Sequence, residues 1–258
     1  MTLLRSIAMA FSMFSAIPMP MVEWKKENMK YMLCALPLVG AAVGLALCLW
    51  HALCQWLGFG TVLYAAGLTL IPLAVSGGIH MDGFCDTVDA LSSRAAPERK
   101  REILKDSHAG AFAILFTAAY FLLYFAVCTE LERTWTAVVI VGIHHVLARA
   151  AGALAGTVFP GSGHGGLLAS FREGAAGKAA VILVFWCAVC AAALIVLSPV
   201  SGAVCVLAQG ALLWYLYRMS RRQFGGMSGD LAGYVISLGE LVLPACFVIV
   251  ERIVLVCC

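Results

Sequence analysis

The sequence predicts an all-α fold: one integral membrane domain over residues 1–258, built as a bundle of about seven transmembrane helices after an N-terminal interfacial or re-entrant helix. Hydrophobic residues make up 62% of the chain and charged residues 12%, about half the charged share of a soluble protein. Several apolar segments also reach the roughly 20 residues needed to cross a bilayer. A soluble globule of this size could not bury so much apolar side chain, so we expect a polytopic membrane protein in a lipid bilayer.

The N-terminal segment, residues 1–20, has one arginine and an apolar run, as a signal peptide would. Its cleavage-site signal is poor, and Lys25, Lys26 and Lys30 follow it. Basic segments beside a membrane tend to stay in the cytoplasm. We therefore expect an uncleaved helix that ends at Pro18 and Pro20 and lies in or at the membrane surface.

The apolar segments that follow predict the spans in chain order. They lie at Tyr31–Leu57, Thr61–Ile79, Ala109–Cys128, Thr134–Val158, Ala179–Leu197, Val200–Tyr217 and Tyr234–Val256. If residues 25–30 are cytoplasmic, the loops on that side carry most of the 17 basic residues. This distribution satisfies the positive-inside rule. All polar clusters are then predicted to open to the cytoplasm.

Neither the cysteines nor the net charge point to further chemistry. Most of the 11 cysteines lie in apolar segments, where cysteine behaves as a small hydrophobe. Cys187 and Cys190 have redox-motif spacing, but they lie in the middle of a predicted helix. The net charge of +3 is mild, and no nucleic-acid partner is expected.

The most informative stretch is Gly77–Asp89, which reads GGIHMDGFCDTVD. Asp82, Asp86 and Asp89 have i, i+4, i+7 spacing and fall within roughly a 60° arc of one helix face. Like charges at this spacing repel. Magnesium is commonly held by a few carboxylates together with substrate phosphate oxygens. We expect a magnesium site, although a solvated acidic helix end would also explain the charges.

A second acidic run follows on a helix predicted to open at Pro97. Glu98, Glu102 and Asp106 have i, i+4, i+8 spacing among basic residues. An exposed face with salt bridges would explain most of this pattern. Asp106, which is nearest to the next span, is the member that we assign to the site.

A third cluster combines arginines with a glycine-rich turn. Arg218 and Arg222 precede Gly225 and Gly226, and Asp230 follows. Guanidinium groups and free backbone N–H groups bind phosphate. A positive-inside loop with a flexible turn is the alternative interpretation.

Charged residues also occur inside predicted spans, at Arg149 and Glu240. Such residues usually face a polar cavity and mark function. Arg149 needs an anionic partner, for which an aspartate or a substrate phosphate would serve. Neighbouring His144 and His145 could be packing groups, ligands or bases.

Acids for magnesium and arginines for phosphate together indicate phosphoryl or phosphodiester transfer at the inner face of a membrane, with one or two metal ions. Two alternatives stay open. An ion-coupled transporter could use Arg149 and Glu240, but it needs polar groups reachable from both sides. A phosphotransferase of the CDP-alcohol type could act on a lipid with similar clustered aspartates.

The sequence resembles the cobalamin synthase family, whose hallmark is GGxHxDGxxDTxDG. The resemblance covers nearly the whole chain in three specific blocks: Gly77–Asp89; Arg99 with Glu102–Ser107 and Gly110; and Phe224–Gly226 with Gly229–Asp230, Gly233 and Leu238–Glu240. Phe11–Ser12, Pro18, Pro20 and Arg149 match as well. Ala90 replaces a frequent glycine, and Ser237 stands where some members have an acid.

The resemblance implies the final assembly of the cobalamin nucleotide loop, at the bacterial inner membrane. A hydroxyl of α-ribazole, or of its 5′-phosphate, attacks the phosphate attached to the cobinamide of adenosylcobinamide-GDP. GMP leaves, and adenosylcobalamin or its 5′-phosphate forms, with magnesium required. A homo-oligomer or an assembly with other enzymes of the pathway stays open. The cytoplasmic loops are too short to enclose a corrinoid, so an open cavity between helices is expected.

On this basis Asp82, Asp86 and Asp89 are predicted magnesium ligands, with Asp106 or Asp230 completing the shell. The general base is His80 or one of the aspartates. Phosphate and substrate contacts are assigned to a set of residues from the later blocks: Lys105, Arg149, Arg218, Arg222, Gly225, Gly226, Asp230 and Glu240.

Overall fold

The computed structural model describes residues 2–20, 22–25, 29, 31–106, 108–162, 168 and 177–257. These residues form helices and no strand, which confirms the all-α prediction. Lys26, Lys30 and most of the segment between the predicted spans Thr134–Val158 and Ala179–Leu197 lie outside the described residues. The helices are α1 (Thr2–Phe14), α2 (Met32–Leu57), α3 (Thr61–Ser76), α4 (Ile79–Ser92), α5 (Pro97–Ile103), α6 (Ala111–Glu130), α7 (Trp135–Val158), α8 (Lys178–Leu197), α9 (Pro199–Phe224) and α10 (Gly229–Cys257).

Each predicted span corresponds to a helix, and the polytopic bundle is confirmed. Within the described part of the chain, α2, α6, α7, α8 and α9 are long and apolar enough to cross a membrane. Counting α3 and α4 as one broken span raises the number from five to six. Length and composition therefore give five or six spans, where the sequence predicted about seven. The last predicted span, Tyr234–Val256, lies inside α10.

The predicted span Thr61–Ile79 is interrupted at its end. Helix α3 stops at Ser76, where Gly77 and Gly78 both take left-handed backbone conformations with φ of 65° and 82°. Glycine adopts this conformation without steric cost, and it commonly ends a helix. The chain turns by 95° before α4 begins. The acidic stretch is therefore a separate helix that leaves the axis of α3.

The core is built around α7, which packs most extensively on α2 and also on α8 and α10. Its crossing with α2 depends on small residues. A Cβ at Gly40 would lie 2.6 Å from the carbonyl oxygen of His145, and one at Gly44 would lie 3.1 Å from the Cα of Gly142. Such residues let helix backbones approach closely in a membrane. By contrast, α8 exposes large apolar side chains such as Phe185 and Val196, as a lipid-facing helix does.

The two ends of the bundle have different polar contacts. At one end α5 docks on the end of α9, where Lys100 Nζ donates to Gln223 Oε1 over 2.5 Å and Arg101 Nη1 donates to the Phe224 carbonyl over 3.3 Å. At the other end Glu130 pairs with Arg252 over 3.3 Å. The segments that the sequence assigned to the cytoplasmic side, α4–α5 and residues 225–230, thus lie together at one end.

Candidate active site

The three aspartates of the acidic stretch lie on one helix, as their spacing predicted. Asp82 is exposed in the first turn of α4, and Asp86 and Asp89 are partly exposed further along. Asp86 lies within electrostatic range of Asp82, Asp89 and also Asp230. Among the described residues, none of the three helix aspartates has a hydrogen bond or ion pair through its carboxylate. The row therefore concentrates negative charge without a paired cation from the described part of the chain.

Asp230 reaches this row because α10 crosses α4 at two glycines. A Cβ at Gly83 would lie 2.7 Å from the backbone oxygen of Asp230, and one at Gly233 would lie 3.1 Å from that of His80. The two backbones therefore approach each other directly at these glycines. We call Asp82, Asp86, Asp89 and Asp230 the acid cluster.

The acid cluster offers only carboxylate oxygens, which are the donors that magnesium prefers. In the described portion, no three His, Cys, Asp or Glu side chains are close enough together to hold a metal ion. Magnesium usually takes one or two protein carboxylates and completes its shell with water and substrate phosphates. The donor set fits such a partial site, and the assignment of magnesium ligands stays a prediction.

Asp106 does not share a helix face with Glu98 and Glu102, contrary to the prediction from their spacing. Helix α5 ends at Ile103, three residues before it. The exposed Asp106 carboxylate accepts hydrogen bonds from the backbone and ring of His108, at 3.0 and 2.8 Å, which lower the pKa of the Asp106 carboxyl. Glu98 and Glu102 pair with arginines of the same helix, so the salt-bridged face is confirmed.

The predicted phosphate-binding side chains of this end are exposed. Lys105 and Arg222 have no side-chain partner in the described structure, and Arg218 lies over the ring of Trp214 at 5.8 Å. They are free to meet an anion.

The glycine turn is arranged differently from a phosphate-binding loop. The amide of Gly226 donates to the Ser220 carbonyl over 3.0 Å, and that of Met227 donates to the Pro160 carbonyl over 2.8 Å. Gly225 ends α9 in a left-handed conformation, and its amide also donates to Ser220. These amides are used inside the protein, so the turn serves here as a helix cap and a packing contact.

Arg149 and Glu240 form a buried ion pair with each other, with 2.6 Å between Nη1 and Oε1. His145 Nδ1 lies 3.0 Å from the same oxygen, and Tyr124 Oη lies 3.1 Å from His145 Nε2. The structure therefore pairs Arg149 with Glu240 and not with an aspartate, and it leaves Nε and Nη2 of Arg149 without a partner among the described residues. Both charges are neutralised inside the bundle, away from the solvent that a transport path would need.

His80 is buried rather than open to a substrate. It is 5% exposed, stacks on Phe14 with 6.2 Å between ring centroids, and its Nε2 has no partner in the described residues. With Ser237 and Glu240 it lines a cavity of about 10 Å³, which is about the size of one water molecule. The open cavity expected for a corrinoid is not found at this position.

Several contacts of the site were not foreseen from the sequence. Tyr124 holds His145, Phe14 covers His80, and Lys100 and Arg101 fix α5 to the end of α9. A tyrosine inside an apolar span could have signalled a buried hydrogen bond. The others had no signal, because each contact joins segments far apart in the chain.

Comparison with known proteins gives a consistent result. A family model described as cobalamin-5-phosphate synthase matches residues 6–248. A protein of Lachnoclostridium phytofermentans, named adenosylcobinamide-GDP ribazoletransferase, is 40% identical over 98% of this chain and 96% of its own length. Proteins with the same name from Clostridium botulinum (strain Alaska E43) and Geobacillus thermodenitrificans are 32% and 30% identical, over 93% and 91% of this chain and 95% and 92% of their own lengths. No solved structure matches. The chain therefore belongs to the cobalamin-5-phosphate synthase family, a family of transferases.

Proposed function

We propose that this enzyme joins adenosylcobinamide-GDP to α-ribazole, or to α-ribazole 5′-phosphate, at the cytoplasmic face of a bacterial inner membrane. The hydroxyl oxygen of the ribazole forms the new bond to the phosphate that carries cobinamide. The bond from that phosphate to GMP breaks, and the hydroxyl proton passes to a base. The products are adenosylcobalamin, or its 5′-phosphate, and GMP.

The observation that carries this proposal is the acid cluster, which is partly exposed, whose three α4 aspartates have no partner among the described residues, and which lies at the same end of the bundle as exposed basic side chains. Asp82, Asp86, Asp89 and Asp230 would hold magnesium. When bound, the ion would neutralise the charge of the diphosphate. Lys105 and Arg222 are free to bind phosphate oxygens beside it.

For the base, the aspartates of the acid cluster are better placed than His80. A general base must come within hydrogen-bond reach of the proton that it takes. The free Nε2 of His80 is buried beneath Phe14, whereas Asp82 is open to solvent. We therefore assign the proton to a cluster carboxylate and give His80 a packing role.

The test is release of GMP from adenosylcobinamide-GDP and α-ribazole 5′-phosphate by the purified protein in liposomes. We expect release that requires magnesium, stops with EDTA, and falls at least about 100-fold in Asp82→Ala, as for the loss of a group that stabilises developing charge. Glu130→Gln, at the opposite end, is the matched control and should keep full activity. Transfer from a CDP-alcohol donor to a lipid, without GMP release, would overturn the proposal in favour of the lipid enzyme.

A further inference from the structure

We propose that the buried pair of Arg149 and Glu240 positions Asp230 within the acid cluster, without touching the substrate. The inference rests on the proposed function, because it assigns a role in the same site. It makes the two residues positioning residues, in place of the substrate-binding role that the sequence predicted for them.

Asp230 and Glu240 belong to one helix. Both lie on α10, ten residues apart, which corresponds to roughly 15 Å of helix axis. Asp230 is in the first turn and lies within electrostatic range of Asp86, whereas Glu240 is buried in the bundle. Because a helix transmits an axial shift along its length, the position of Glu240 determines how far Asp230 extends along α4.

Glu240 is held by two side chains of α7. Arg149 and His145, one helical turn apart on α7, approach the same Oε1 at 2.6 and 3.0 Å. Arg149 Nη1 also donates to the carbonyl of His145 over 3.1 Å, and Tyr124 of α6 braces the other side of the imidazole. The ion pair therefore ties α10 to α7, the most buried of the candidate spans in the described part of the chain.

The backbones of α10 and α4 also approach closely at two glycines, next to the stacked rings of Phe84 and Tyr234 at 5.7 Å. Asp230 lies against Gly83, and Gly233 lies against His80. Ile236 packs equally closely on Gly152 of α7, where an added Cβ would be 2.4 Å from its Cγ1. A displacement of α10 at Glu240 would therefore reach Asp230 and change its distance from Asp82 and Asp86.

The energetics allow positioning to be separated from folding. Removing one member of a buried ion pair leaves an uncompensated charge, whereas replacing both members with apolar residues is often neutral for stability. The informative variant is therefore the double substitution Arg149→Met with Glu240→Leu. Glu240→Asp is the second variant, since it keeps the charge and shortens the side chain by one methylene.

The matched control is the double substitution Glu130→Gln with Arg252→Gln. This pair joins α6 to α10 over 3.3 Å at the opposite end and is exposed. Its removal eliminates an ion pair of α10 without disturbing Glu240.

The measurement is the affinity for Mn²⁺, a hard ion that takes carboxylate sites like magnesium, followed by electron paramagnetic resonance of full-length protein in liposomes without substrate. We expect Kd to rise about tenfold or more in the double variant, as for residues that orient metal ligands, and severalfold in Glu240→Asp. The thermal midpoint should stay near that of the wild type. With substrates, kcat should fall while KM for the GDP substrate changes little.

Wild-type Mn²⁺ affinity and kcat in both variants would overturn the inference and leave the pair a purely structural role. Failure of the wild type to bind Mn²⁺ would overturn it too. If the wild type bound Mn²⁺ but released no GMP, the proposed function would fail, and the inference would be decided by the Mn²⁺ affinities alone. If the double variant did not fold, Glu240→Asp would decide.

Discussion

The acid cluster and Glu240 both carry carboxylates, but they differ in whether basic side chains of the protein pair with them. The acid cluster gathers four carboxylates at one end of the bundle, and no cation of the described residues pairs with the three on α4. Glu240 is a single carboxylate inside the bundle, and Arg149 and His145 both contact it. A compensated buried charge organises the fold, whereas an uncompensated group near the surface is suited to a cationic ligand.

The sharpest test of this difference compares the stability of Glu240→Leu with that of Asp86→Asn. The first should lower the free energy of unfolding by about 3–5 kcal/mol, because Arg149 is left buried without a counter-charge. The second should leave it unchanged or raise it slightly, because repulsion within the row is relieved. Both are measured by denaturant unfolding in detergent micelles, with Asp86→Asn losing GMP release.

Equal destabilisation by the two substitutions would contradict the distinction. It would mean that Asp86 has a protein partner in the folded state, and that the acid cluster is not a cation-binding site.

The next test concerns the contact that brings the two helices together. Gly83→Ala should cost about 1–3 kcal/mol of stability, as overpacking does, because its Cβ meets the Asp230 backbone. It should also lower GMP release, since Asp230 must move away from Asp86. Gly210→Ala is the control, because a Cβ there meets nothing within 4 Å and alanine favours a helix. Similar effects of both substitutions would show that the crossing is unimportant.

The helices and the acid row could be predicted from the sequence because both depend on local patterns. Runs of apolar residues determine the spans, and i, i+4, i+7 spacing determines that Asp82, Asp86 and Asp89 share a face. The end of the span predicted at Thr61–Ile79 was placed too late, because hydropathy does not report a change in backbone direction such as the one at Gly77–Gly78.

The partners within the site could not be predicted, because they depend on contacts between distant segments. The sequence offered Asp106 and Asp230 equally as the fourth acid, and α10 brings Asp230 into range only through the crossing at Gly83 and Gly233. In the same way, Arg149 had several anions within the sequence to pair with. Its burial against α10 selects Glu240.

The smallest expected effect tests whether Asp106 or Asp230 is the fourth acid of the metal site. Asp106→Asn should change GMP release by no more than about twofold, because substitution of an exposed surface residue typically shifts energies by only about 0.5 kcal/mol. Its carboxylate is exposed and bonded to His108. Asp230→Asn should lower GMP release at least about tenfold, since a carboxylate near Asp86 is removed. Both are assayed over a magnesium titration, in which only Asp230→Asn should need more magnesium for half-maximal rate. If GMP release fell more in Asp106→Asn than in Asp230→Asn, the fourth ligand would be assigned to Asp106, in the segment after α5. This segment would then have to fold over the acid cluster when substrate binds.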